Sequence, residues 1–69
     1  MPHIAVTMIP GRDDATKKQL AERLQSFLAN ELGIDANLVS VSVQDIAMKN
    51  WRKEMEKIPG ELMYVPPKE

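Results

Sequence analysis

The chain opens Met1-Pro2-His3-Ile4-Ala5-Val6-Thr7-Met8-Ile9, and the reading of this stretch decides the fold. Residues 3–9 alternate with period two: Ile4, Val6 and Met8 face one way, and His3, Ala5, Thr7 and Ile9 face the other. Four β-branched residues, Ile4, Val6, Thr7 and Ile9, favour an extended backbone. Both faces are fairly apolar, which predicts a strand covered on both sides. Pro10-Gly11 ends it, because proline offers no N–H to a ladder and the pair marks a turn.

Beyond the turn, Asp13 reads as a helix N-cap, and Asp14 places a second carboxylate in the first turn, where the helix dipole favours it. Leu20, Leu24, Phe27, Leu28 and Leu32 recur at three- and four-residue steps, interrupted by Glu31, and predict one core-facing stripe. Lys17, Lys18, Glu22, Arg23, Gln25 and Asn30 form the expected solvent side, and Gly33 stands where a helix-ending glycine belongs. A short connection over residues 34–37 leads to Val39-Ser40-Val41-Ser42-Val43-Gln44, with valines on one face and polar residues on the other. Strand, helix and strand within about forty residues predict a βαβ unit with parallel strands and a right-handed crossover. A short second helix is expected from Met48 to Ile58, with Trp51, Met55 and Ile58 on one side, and Pro59-Gly60 ends it. Leu62-Met63-Tyr64-Val65 reads as a short C-terminal strand before Pro66-Pro67. The expected class is α+β: two parallel strands, one long helix, a short helix and a last strand.

The bulk composition narrows what such a chain can be. Sixty-nine residues make a single domain spanning residues 1–69. A chain this short buries only about 60% of its unfolded surface. With no cysteine and one histidine, neither a disulfide nor a multi-histidine metal site can staple it, and oligomerisation is the usual remedy. A two-stranded sheet with one helix leaves a bare face, most simply covered by another copy of the chain. Nine basic and ten acidic residues give a net charge of −1, which offers no electrostatic reason for a nucleic-acid or anionic-membrane partner. No apolar run approaches the about 20 residues of a membrane span, and the N-terminus lacks the features of a signal peptide. The expected location is the cytoplasm.

Pro2 is the first candidate for chemistry. N-terminal processing removes an initiator Met most readily before a small residue or proline, and Pro2 would then carry a free secondary amine. Such a nitrogen can serve as a general base if its conjugate acid titrates near the working pH. An ordinary α-amino group titrates at about 7.7–8.0, and an apolar pocket or a nearby cation lowers that value. Arg12, in the turn after the first strand, could grip a carboxylate in bidentate fashion, although an exposed loop arginine is the commoner fate. Trp51, the only tryptophan, reads as a pocket wall or as a packing anchor. His3 and Ser42 are weaker candidates, and Asp45 is a lone acid at a strand end. No nucleophile elbow and no glycine-rich phosphate loop is present.

Taken together, Pro2 after Met1, the strand, Pro10-Gly11-Arg12, the Asp13-capped helix, Gly33, the Val39–Val43 strand and Trp51 resemble the 4-oxalocrotonate tautomerase family. The resemblance runs from Pro2 to about Trp51. It implies a β-α-β protomer whose dimers form a four-stranded sheet, assembling as a dimer or a trimer of dimers. It further implies cofactor-free keto–enol tautomerisation of a small 2-oxo acid, with Pro2 as amino-terminal general base and Arg12 holding the carboxylate. Trp51, Ile9 and Ser42 would line the pocket. The family's second substrate arginine aligns with Ser42, which disfavours a dicarboxylate substrate and favours a monoacid such as a phenylpyruvate-like enol; Arg52 and Lys49 are candidates to supply the missing charge. With Met1 attached, the Pro2 nitrogen is a tertiary amide with no basic lone pair. The alternatives are a non-catalytic oligomeric relative that binds or builds, and a hydratase or dehalogenase working through the same amine.

Overall fold

The computed structural model describes residues 1–68. Strand β1 (His3–Met8) leads to helix α1 (Asp14–Leu32), a single 3-10 turn at Ala36–Leu38, strand β2 (Ser40–Asp45), helix α2 (Met48–Glu56) and a second 3-10 turn at Gly60–Leu62. The two strands form one parallel sheet, in register from His3 opposite Ser40 to Met8 opposite Asp45. Two further backbone bonds extend the ladder: Ser40 N–H donates to the Pro2 carbonyl at 3.2 Å, and Ile46 N–H to the Met8 carbonyl at 2.8 Å. The βαβ order and the parallel pairing expected from the alternation are present.

The ends of α1 follow from its sequence. Asp13 is extended and its carboxylate accepts from Thr16 N–H at 2.8 Å, filling one of the orphan donors of the first turn. Pro10-Gly11 delivers the chain there; Gly11 has φ 141°, a conformation a residue with a Cβ rarely adopts. At the other end Gly33 is left-handed (φ 66°). Its N–H reaches the Asn30 carbonyl, and Ile34 N–H reaches that of Ala29 at 3.0 Å, the two bonds of a Schellman ending.

Several side chains depart from the expected pattern. Gln25, expected on the solvent side, is half-buried and donates through Nε2 to the carbonyls of Ala36 (2.8 Å) and Val39 (3.0 Å). It pins the connection between α1 and β2, a need that helical periodicity cannot display. Lys17, also expected to be fully solvated, forms an ion pair with Asp45 at 2.7 Å and ties the start of α1 to the end of β2. Phe27 and Leu32, expected in the core stripe, are exposed in the single chain, at 62% and 54%. The second helix stops at Glu56, two residues short of the expected Ile58.

The C-terminal strand expected at Leu62–Val65 is absent. Gly60–Leu62 forms the 3-10 turn, and residues 63–68 run on without ladder partners. A strand needs a partner, and within one chain α2 carries this segment away from both strand edges.

The core is small. Ala29, Val39 and Ile46 are the buried apolar residues among those described, and α2 makes no substantial contact with the sheet or with α1. The side of β1 and β2 opposite α1, bearing His3, Ala5, Ser40, Ser42 and Gln44, is open, so the two-sided burial expected of β1 is not met within one chain. The radius of gyration is 13.5 Å, against about 11 Å for a compact chain of this length. The accessible surface is 5903 Å², against roughly 4,400 Å² for a folded monomer of this mass. The single chain is an extended arm joined to a half-covered βαβ unit.

Two stability predictions follow from the caps and pins. The Asp13 carboxylate titrates below its ordinary value because it accepts hydrogen bonds from the Thr16 side chain and from the Thr16 backbone N–H. Its stabilisation is therefore complete above the unfolded carboxylate pKa of about 3.9 and is lost as pH falls through the lower folded value. Asp13→Ala lowers the thermal midpoint at pH 7, Asp13→Asn far less, and the gap between wild type and Asp13→Asn closes in strong acid; circular dichroism melts at the two pH values measure this. Gln25→Ala takes the side-chain donor from the Val39 carbonyl, while that of Ala36 keeps Val39 N–H, and lowers unfolding free energy by about 1–2 kcal/mol in urea titrations.

Candidate functional site

Pro2 is better held than a residue beside a chain terminus usually is. Met1 is wholly exposed, while Pro2 is half-buried and its carbonyl is fixed by Ser40 N–H. Loss of Met1 therefore removes no packed side chain, and it frees a nitrogen at the very start of a paired strand. His3, next along, lies on the open face of the sheet. Its Nδ1 is 2.6 Å from Ser40 Oγ and its Nε2 is 3.0 Å from Ser42 Oγ. Ser42 and His3, both weaker candidates on sequence alone, thus sit in one polar cluster with Ser40, which sequence reasoning passed over. Only the register of β1 against β2 brings them together, although the polar spacing of residues 40 and 42 was visible.

Arg12 lies at the far end of β1. It is exposed, and its Nη1 makes only a long 3.5 Å bond to the Ile9 carbonyl. Among the described residues it enters no ion pair, the two present being Lys17–Asp45 and Lys57–Glu54. Its guanidinium is unengaged by carboxylates and available to an anion. Ile9 is half-buried beside it. Pro2 and Arg12 are nonetheless separated by the length of β1, about 20 Å for six extended residues. Within one chain they cannot hold the same small molecule.

Trp51 is placed in a third region. It is half-buried on α2 and, with Met55, Met63, Val65, Pro66 and Pro67, lines a pocket of about 410 Å³. That volume falls in the range of small-molecule sites, and its lining is apolar throughout. The C-terminal tail folds over α2 to make it, which explains how a nine-residue helix without a side-chain N-cap is supported. A shallower groove of about 220 Å³ runs between α1 and β2, lined by Ala21, Glu22, Gln25, Val39, Ser40 and Val41. It contains none of the candidate residues, and we give it no part in the chemistry. Lys49 and Arg52 are exposed on α2.

The candidate residues therefore fall into three groups in one chain: Pro2 with Ser42, Ile9 with Arg12, and Trp51 by itself. No group of three or more His, Cys, Asp or Glu side chains among the described residues is arranged to hold a metal ion, and none of the described helices is long and apolar enough to cross a membrane.

The family model described as "Tautomerase enzyme" matches residues 2–55. The chain belongs to the tautomerase family. The match begins at Pro2, takes in the whole βαβ unit and reaches Met55 on α2, so every candidate residue lies inside it. A protein of Xylella fastidiosa (strain 9a5c) named "Probable tautomerase" is 40% identical over 55 residues, which is 80% of this chain and 67% of that protein. No solved structure gives a significant match. This tautomerase-family member thus has a half-covered βαβ unit and three separated groups of candidate residues.

Proposed function

We propose that this tautomerase-family chain interconverts the enol and keto forms of a small 2-oxo acid without a cofactor, using Pro2 as the general base once Met1 has been removed. The observation that carries the reading is the state of the amino terminus: Met1 free of packing, Pro2 half-buried and clamped by Ser40, and a family match that starts at Pro2. The Pro2 amine takes the enol O–H proton or a carbon-bound proton α to the carbonyl, and the resulting ammonium returns it to the other position. The reaction is a proton transfer with no net change of oxidation state. Arg12 holds the carboxylate, and Trp51 and Ile9 supply apolar walls. Ser42 presents a neutral hydroxyl, so a second carboxylate finds no cation on β2, and a monoacid with an apolar substituent suits the site best.

The separation of Pro2 from Arg12 makes the site composite. In a homo-oligomer, a dimer or a trimer of dimers, a twofold axis sets copies antiparallel, which brings the start of one β1 towards the end of its neighbour's. Pro2 from one copy then meets Arg12 from another, and the projecting arm with Trp51 reaches across the boundary. The surface in excess of a compact monomer, of order 1,500 Å² per chain, is ample for such an interface.

Four measurements test this reading. Intact-mass analysis of the natural protein should show Met1 absent; retained Met1 excludes the amine mechanism. Pro2→Ala should lower the rate of ketonisation of enol phenylpyruvate by about 10²–10⁴, and Arg12→Ala should raise KM about 10- to 100-fold, the loss of a charge-assisted bond. The wild-type rate should rise with pH through neutrality as Pro2 loses its proton. Finally, subunit exchange between Pro2→Ala and Arg12→Ala proteins should restore about a quarter of wild-type activity, the share expected for random assortment into dimers with one intact composite site in each mixed pair. No recovery would show that Pro2 and Arg12 do not form one site across the boundary between chains.

A further inference from the structure

His3 has no part in the reaction as described, yet both of its ring nitrogens have partners on the open face of the sheet. The register sets His3 opposite Ser40, and Ser42 lies two residues on, on the same face. Nδ1 lies 2.6 Å from Ser40 Oγ and Nε2 3.0 Å from Ser42 Oγ, both within hydrogen-bond distance. A serine hydroxyl both donates and accepts, so the two serines satisfy both ring nitrogens in either tautomer. The same Ser40 donates its backbone N–H to the Pro2 carbonyl. Pro2 and His3 are thus tied to β2 at three points through two serines, at a position where a terminus would otherwise fray.

We propose that His3 is a positioning residue, clamping the amino-terminal end of β1 to Ser40 and Ser42 so that the Pro2 nitrogen is held in register for proton transfer. Ser42 then acts through His3 and not by binding substrate. The inference rests on Pro2 being the base. Misplacement of a reacting group by about 1 Å costs up to roughly 100-fold in rate, and an untied proline at a free terminus would move at least that far.

The test uses the Met1-processed protein and enol phenylpyruvate. His3→Ala should lower kcat about 10-fold or more while KM changes less than about threefold, because the substrate contacts are untouched. Ser42→Ala should move kcat in the same direction by a smaller factor, and the His3→Ala/Ser42→Ala double variant should be no slower than His3→Ala, since the two act as one unit. His3→Gln, whose amide offers one donor and one acceptor, should recover part of kcat. Amide hydrogen exchange at Ser40 should quicken in His3→Ala, reading the clamp without any assay of activity. Wild-type kcat in His3→Ala, or a rise in KM alone, overturns the inference; if His3→Ala fails to fold, His3→Gln and Ser42→Ala decide it by the same criteria. If Pro2→Ala keeps the wild-type rate, the base assignment falls and the positioning role of His3 falls with it. Slow kcat in His3→Ala beside an inactive Pro2→Ala supports both.

Discussion

The parallel pairing of β1 with β2 is the constraint on which the rest depends. Parallel strands cannot be joined by a tight turn, so the chain spends nineteen residues on α1 to return to the same end of the sheet. That return sets Ser40 beside Pro2 and His3 and sends Asp45 to the end where Lys17 starts the helix. It also fixes which side of the sheet α1 covers. Ile4, Val6, Val41 and Val43 go under the helix, and the His3, Ser40 and Ser42 side stays open. The polar cluster at the terminus is a consequence of this one register. A shift of a single residue would turn both serines towards the helix and the valines outwards.

The same constraint limits what one chain can complete. A parallel pair places the beginnings of both strands at one end, so a residue before β1 and a residue after it are necessarily a strand-length apart. Pro2 and Arg12 are such residues. The proposed joint use of the two therefore calls for a second chain, and a buried core of only Ala29, Val39 and Ile46 among the described residues is consistent with that proposal, since so small a core offsets little of the conformational entropy of folding. Catalytic and energetic incompleteness share one cause, which is why oligomer formation and site formation are coupled in the proposed function.

The local elements were legible because they are set by local chemistry. The Asp13 cap, the Gly33 ending, the Pro10-Gly11 turn and the two alternating strands each need only residues near in sequence, and each is present. The parallel pairing could also be anticipated, since a helix between two strands leaves little alternative. Family membership was legible from the ordered set of motifs, and the family match bears it out. What misled were positions whose fate depends on distant parts of the chain. Gln25 has the periodicity of a solvent-facing residue but meets two carbonyls of the following connection. Leu62–Val65 has the composition of a strand but no edge within reach in one chain.

By itself, then, the sequence determined the elements, their order and the chemical character of each candidate residue, because capping, turn geometry and hydrophobic period act over a few residues at a time. Tertiary structure alone decided which candidates meet. It brought His3 to Ser40 and Ser42, separated Pro2 from Arg12 by the length of β1, and set Trp51 in an arm whose apolar pocket is closed by the C-terminal tail. Those relations depend on strand register and on the path of the chain between elements, which no local pattern encodes.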